Sequence, residues 1–165
     1  MTYLEGFSNL LNNNLFLTGK TLHGEQSCGD VNIKGNCIIL KLDTTDFKDR
    51  VINTIFVPGK ARCVSDFIIL SDSIFLACEM KSNNEGNMKI QLKNTGKIIN
   101  YLISMVHAHF NITVQLPQLK FVCFSNSNVS KQTTRGYKLT PIVWADGQSL
   151  FRLPCNTSYH LHQFI

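Results

Sequence analysis

From Cys37 to Lys81 the chain carries one short apolar segment after another, each closed by polar or turn-forming residues. Cys37–Leu42, Val51–Val57, Arg62–Leu70 and Ser73–Lys81 all have strand length and strand composition. Pro58–Gly59 closes the second, and Ser71–Asp72 separates the third from the fourth, a break that suits a hairpin. After a polar loop at Ser82–Asn87 the period changes. Ile98, Leu102, Met105 and Val106 recur at helical spacing, so about Met88–His109 is expected to be the main helix, weakened locally by Gly96. A chain with this order must lay its strands side by side and cover them with helix. The expected class is α/β or α+β, with one central mixed sheet flanked by helices.

The remaining segments fit that frame. Tyr3, Leu4, Phe7, Leu10 and Leu11 predict a short helix over residues 2–11. Residues 13–35 read as loop with one strand. Later strands are expected at Leu119–Phe124 and Leu139–Val143, with a weaker pair near the C-terminus, and Ser125–Tyr137 reads as a polar loop. No repeat or linker divides the 165 residues, a length that fits one domain. With 44% hydrophobic and 16% charged residues, the composition is that of a soluble globular protein. No apolar run approaches the roughly 20 residues of a membrane span, so no membrane partner is expected. The net charge of +5 is a mild bias, compatible with an anionic partner without selecting one. Six cysteines show no C-x-x-C spacing, and no signal peptide is visible at the start. The expectation is a cytoplasmic protein with reduced thiols.

The chemistry concentrates in the fourth segment, Ser73-Ile-Phe-Leu-Ala-Cys-Glu-Met-Lys81. On a strand, residues two apart face the same way. Glu79 and Lys81 therefore share one face, with Cys78 and Met80 on the other. A turn at Ser71–Asp72 brings Asp66 opposite Cys78 or Glu79. Two carboxylates held together repel unless a cation intervenes. Mg²⁺ or Mn²⁺ would resolve that conflict with oxygen ligands and retained waters, the backbone carbonyl of Met80 supplying one more ligand. Lys81 adds a positive charge that can orient or deprotonate an attacking water and offset charge on a phosphate. Cation, water and lysine together are a sufficient minimum for phosphodiester hydrolysis.

Asp66 on one strand, Glu79-Met-Lys81 on the next and Gln91 at the opening of the long helix resemble the PD-(D/E)XK nuclease superfamily over about residues 60–105. The resemblance implies an αβββαβ core like that of restriction endonucleases, a divalent metal and cleavage of nucleic acid, DNA ahead of RNA. It implies that Asp66 and Glu79 bind the metal, that Lys81 is the catalytic lysine, and that Gln91 positions water or substrate. It also implies an acid on the first helix, for which Glu5 is the candidate and Glu25 its rival. Ser65 stands where the motif's name puts Pro. Thr95 stands where recombination-type exonuclease members carry Tyr. Members serve in restriction, repair, mobile elements and phage defence.

Blander readings stand beside these. Glu79 and Lys81 are alternatively a solvent-facing pair on a half-exposed sheet, and Gln91 a plain helix former. Asp72 reads as a turn residue. His107 and His109 lie two apart on a helix and cannot form a metal pair. His160 and His162 read as exposed. Lys60, Arg62, Lys131 and Arg135 are candidates for contacts with a nucleic-acid backbone. The alternative to a nuclease is a catalytically inactive module on the same scaffold, a binding or structural subunit of a nucleic-acid-processing or defence complex. A chain this short is expected to draw any sequence specificity from a homodimer or from a larger protein partner.

Overall fold

The computed structural model describes residues 1–24, 28–44, 64–81, 87–126, 138–144 and 147–165. Within them the chain forms helix α1 (Tyr3–Leu10), strands β1 (Thr21–His23), β2 (Asp30–Lys34), β3 (Ile38–Lys41), β4 (Phe67–Leu70) and β5 (Ile74–Lys81), helix α2 (Met88–His109), and strands β6 (Gln118–Ser125), β7 (Ile142–Val143), β8 (Ser149–Pro154) and β9 (Thr157–His160). Short 3-10 turns sit at Asn13–Leu15 and Leu161–Phe164. The protein is α+β with mixed sheets, as its segment order requires. The expected strand Val51–Val57 lies outside the described residues.

The main sheet has the order β3-β4-β5-β6-β8-β7. β3, β4 and β5 are antiparallel neighbours, and β6 runs parallel to β5 after the α2 crossover. Along the chain β1 and β2 come between α1 and the three antiparallel strands β3, β4 and β5, which α2 and the parallel strand β6 then follow. The hairpin between β4 and β5 turns where Ser71–Asp72 placed it. Ser71 Oγ takes the N–H of Ile74 at 3.0 Å, and the Asp72 carboxylate accepts the Leu4 N–H at the start of α1 at 2.9 Å. Asp72 is thus a turn residue that also satisfies an orphan donor of α1.

Both described helices cover one face of the main sheet. Tyr3 and Phe7 of α1 meet Phe75 edge-on, while Leu92, Ile99 and Val106 of α2 pack with Ala77, Phe121 and Cys123. Gly96 has a use beyond weakening the helix: a Cβ there would come within 3.2 Å of the Phe121 ring, so its absence lets α2 approach β6 closely. Gly6 does the same for α1 against Val106.

The opposite face is covered by a second sheet, β1-β2-β9. Residues 13–35 hold two strands where one was expected, and the two C-terminal strands belong to different sheets. β2 pairs parallel with β9, Val31 opposite Thr157. That pairing brings Cys28 and Cys155 together as a disulfide, although 127 residues separate them. The bond corrects the expectation of reduced thiols, which rested on the absence of a visible signal peptide. Parallel pairing of distant strands created the proximity. Cys37, Cys78 and Cys123 take no part in a disulfide. No helix among the described residues is long and apolar enough to cross a membrane.

Candidate active site

The β4–β5 register pairs Phe67 with Cys78, so one step further sets Asp66 opposite Glu79. The odd-numbered side chains of β5 enter the helix-covered face with Phe75 and Ala77, whereas Cys78 and Met80 face the smaller sheet. Glu79 and Lys81 therefore share one side, as the strand period requires. Their surroundings are not those of a solvated pair, because Glu79 is only 1% exposed.

Asp66 is fixed by the backbone. Its Oδ2 accepts the Met80 N–H at 2.7 Å, and its own carbonyl accepts the Leu42 N–H at 2.8 Å. The side chain thus replaces a ladder partner at the point where β4 begins. On a strand, a residue's N–H and C=O point toward the same neighbour. The Met80 carbonyl accordingly faces the β4 side, where the Asp66 carboxylate lies.

The Glu79 carboxyl is pushed up to about 7, first by burial and then by the Asp66 carboxylate. The Lys81 ammonium and the Asp66 backbone N–H oppose that shift. Lys81 Nζ lies 2.7 Å from Glu79 Oε1 and is itself 24% exposed. The contact is close but not well directed, for neither Glu79 oxygen has an aligned hydrogen-bond donor among the described residues. A buried carboxylate left in this state carries a desolvation cost of several kcal/mol in general terms.

α2 reaches this site from above. Gln91 Nε2 donates to the Val64 carbonyl at 3.3 Å, and Gln91 Oε1 is buried without an aligned donor. One turn along, Thr95 Oγ1 accepts the Ser65 N–H at 2.8 Å and lies 2.9 Å from the Ser65 hydroxyl. Gln91 and Thr95 hold the two residues that precede Asp66. Sequence reasoning noted Thr95 only as a departure from Tyr. Its spacing of four from Gln91, which places both on one helix face, was the available signal.

The orphaned Glu79 oxygens test whether these residues suit a divalent cation. The carboxylates of Asp66 and Glu79 and the Met80 carbonyl form an oxygen donor set suited to Mg²⁺ or Mn²⁺, with waters completing the shell. No cluster of three His, Cys, Asp or Glu side chains occurs among the described residues. An ion that keeps several waters does not need one.

The other expected participants lie elsewhere. Glu5 is exposed and closes a capping box: its Oε2 accepts the Thr2 N–H at 2.8 Å, and its own N–H donates to Thr2 Oγ1 at 3.2 Å. The start of α1 sits over the Ser71–Asp72 turn, at the opposite end of β5 from Glu79. Glu5 is therefore a helix cap and not an acid of this site. Its rival Glu25, and Lys60, Arg62, Lys131 and Arg135, lie outside the described residues. His107 bonds the Tyr3 hydroxyl at 2.7 Å, and the rings of His160 and His162 lie 5.2 Å apart, tilted to each other, near the C-terminus. No protein-family model matches the chain, and no curated protein or solved structure is significantly similar to it.

Proposed function

We propose that the protein is a Mg²⁺- or Mn²⁺-dependent nuclease of the PD-(D/E)XK type, hydrolysing phosphodiester bonds of nucleic acid. The observation that carries this reading is the Glu79 carboxylate, buried beside the Asp66 carboxylate with the Lys81 ammonium 2.7 Å away. A purely structural role gives no reason to bury a carboxylate next to another. The order of elements around the main sheet supports the same reading.

Asp66, Glu79 and the Met80 carbonyl would hold the cation, which would polarise the scissile phosphate and make water more acidic. Lys81 is partly exposed at the end of β5. From there its ammonium faces both the carboxylates and an incoming phosphate. It can orient the attacking water and offset charge that grows on the phosphoryl oxygens. Gln91 keeps one amide oxygen for a water or a substrate group, while its nitrogen stays on Val64.

The test is cleavage of end-labelled DNA and RNA with Mg²⁺ or Mn²⁺ by the wild type and by Glu79→Gln, Asp66→Ala and Lys81→Met. Loss of a positioned acid–base group should cost roughly 10²–10⁴-fold in rate. Cleavage that persists in all three variants would remove the basis of the assignment. Absence of cleavage, together with absence of Glu79-dependent Mn²⁺ binding, would favour the inactive-scaffold alternative.

A further inference from the structure

α2 opens over the site and carries a row that the site itself does not use. Lys89, Lys93, Lys97 and Tyr101 follow one another at intervals of four residues. That interval stacks side chains along one ridge, about 6 Å apart per step. All four residues are exposed, Tyr101 by 58%, and the neighbouring Ile90 by 54%. The buried side of the helix is a different one, made by Met88, Leu92, Thr95, Gly96, Ile99 and Val106.

The row works against the helix that bears it. Lysines four apart repel each other, and positive charge near a helix N-terminus opposes the macrodipole. α2 has no acidic residue in its first turn, and none occurs within its 22 residues. A helix built only to cover the sheet would place acids at its start. Lys93 lies 5.8 Å from the centre of the Trp144 ring, on a face that Trp144 and Phe121 brace by stacking. A local arrangement that opposes its own element is where function is expected.

We infer that the Lys89–Lys93–Lys97–Tyr101 ridge binds single-stranded nucleic acid, the lysines following the phosphates and Tyr101 stacking on a base. Evenly spaced positive charge complements a repeating polyanion, and the exposed ring offers the sequence-tolerant stacking that single strands allow. A duplex keeps its base faces covered and has no use for Tyr101. The inference deepens the nuclease reading by naming the form of its substrate. It rests on that reading for choosing nucleic acid over other polyanions.

The test is fluorescence anisotropy of the full chain with a labelled oligothymidylate, an oligouridylate, a blunt DNA duplex and phosphatidylserine vesicles, all in EDTA so that nothing is cleaved. The single strands should bind more tightly than duplex or vesicle. Lys89→Gln/Lys97→Gln should weaken single-strand binding at least tenfold at low salt and reduce the slope of log affinity against log salt by about 1.4, two phosphate contacts' worth. Tyr101→Ala should weaken binding several-fold with the salt slope unchanged. Wild-type affinity in these variants, tighter duplex or vesicle binding, or no binding to any oligonucleotide would overturn the inference. Glu79-dependent cleavage with intact binding in the ridge variants would sink the ridge and leave the nuclease standing. Ridge-dependent binding without cleavage would do the reverse.

Discussion

Thr95 Oγ1 accepts the backbone N–H of Ser65 at 2.8 Å, in a place where neither residue is reached by solvent. The bond joins α2 to the residue immediately before Asp66. In the PD-(D/E)XK motif that this segment resembles, the corresponding position is Pro, which has no N–H to satisfy. Ser65 introduces a buried donor, and Thr95 answers it. The approach of α2 to β4 and the placing of Asp66 are thereby one event.

Replacing Thr95 with Val keeps the shape and removes the acceptor. The Ser65 N–H is then buried without a partner, at a cost of about 1–3 kcal/mol. Urea unfolding should show that loss, and Thr95→Ser should recover most of it. Amide exchange separates a local effect from a global one. The Met80 amide, which donates to Asp66 Oδ2, should exchange faster in Thr95→Val by more than the Ile69 amide does. Equal acceleration at both positions would mean that Thr95 supports the fold without positioning Asp66.

Much of this arrangement was legible in the sequence, because it depends on local rules. The alternation in Ile74–Lys81 fixed which side chains share a face, and the Ser71–Asp72 break fixed which residue of β4 meets Glu79. The helical period gave Met88–His109 to the residue. What escaped depends on pairing between distant segments. Nothing near Cys28 announces a parallel partner at Thr157, and so neither the second sheet nor the disulfide was foreseen. Glu5 was misassigned because an acid in a first helical turn serves a cap and a site equally well on paper. Only the position of α1 over the β4–β5 turn separates the two roles.

Glu79 should make the stability of the metal-free protein depend on pH. Its carboxyl is held at about 7, against an ordinary 4.5, by burial and by the Asp66 carboxylate. A raised carboxyl binds its proton more tightly in the folded state than in the unfolded one. Between those two values the unfolded chain therefore carries fewer protons, and stability falls as pH rises, levelling off above about 7. The full effect is on the order of 3 kcal/mol. In EDTA, Glu79→Gln should lose this dependence and be more stable than the wild type at pH 8. Mg²⁺ should restore the wild type at pH 8 and leave Glu79→Gln unchanged. A wild-type and variant difference that stays constant from pH 5 to pH 8 would contradict the burial of this charge.

Glu5 supplies a separation of fold from chemistry. Glu5→Ala removes one half of the capping box with Thr2 and should cost about 0.3–1 kcal/mol in stability. Cleavage rates measured well below the unfolding transition should stay within twofold of the wild type. A drop comparable with that of Glu79→Gln would return Glu5 to the site, against its position at the far end of β5.

The Cys28–Cys155 bond closes a loop of 127 residues between the turns that flank β2 and β9. Most of the main sheet lies inside that loop, so the bond restricts the unfolded chain far more than it restricts the small sheet it touches. Opening it should cost about 2–5 kcal/mol. Both sulfurs are buried, and Cys28 lies against the carbonyl of Phe124 on β6. The folded protein should therefore resist mild reductant and lose the bond only as it unfolds. The urea midpoint should fall when tris(2-carboxyethyl)phosphine is present during unfolding. The Cys28→Ala/Cys155→Ala variant should start from the lower midpoint and ignore the reductant. If wild type and variant share one midpoint under oxidising conditions, the two cysteines do not cross-link the folded chain, and the small sheet is held by its β2–β9 pairing and core alone.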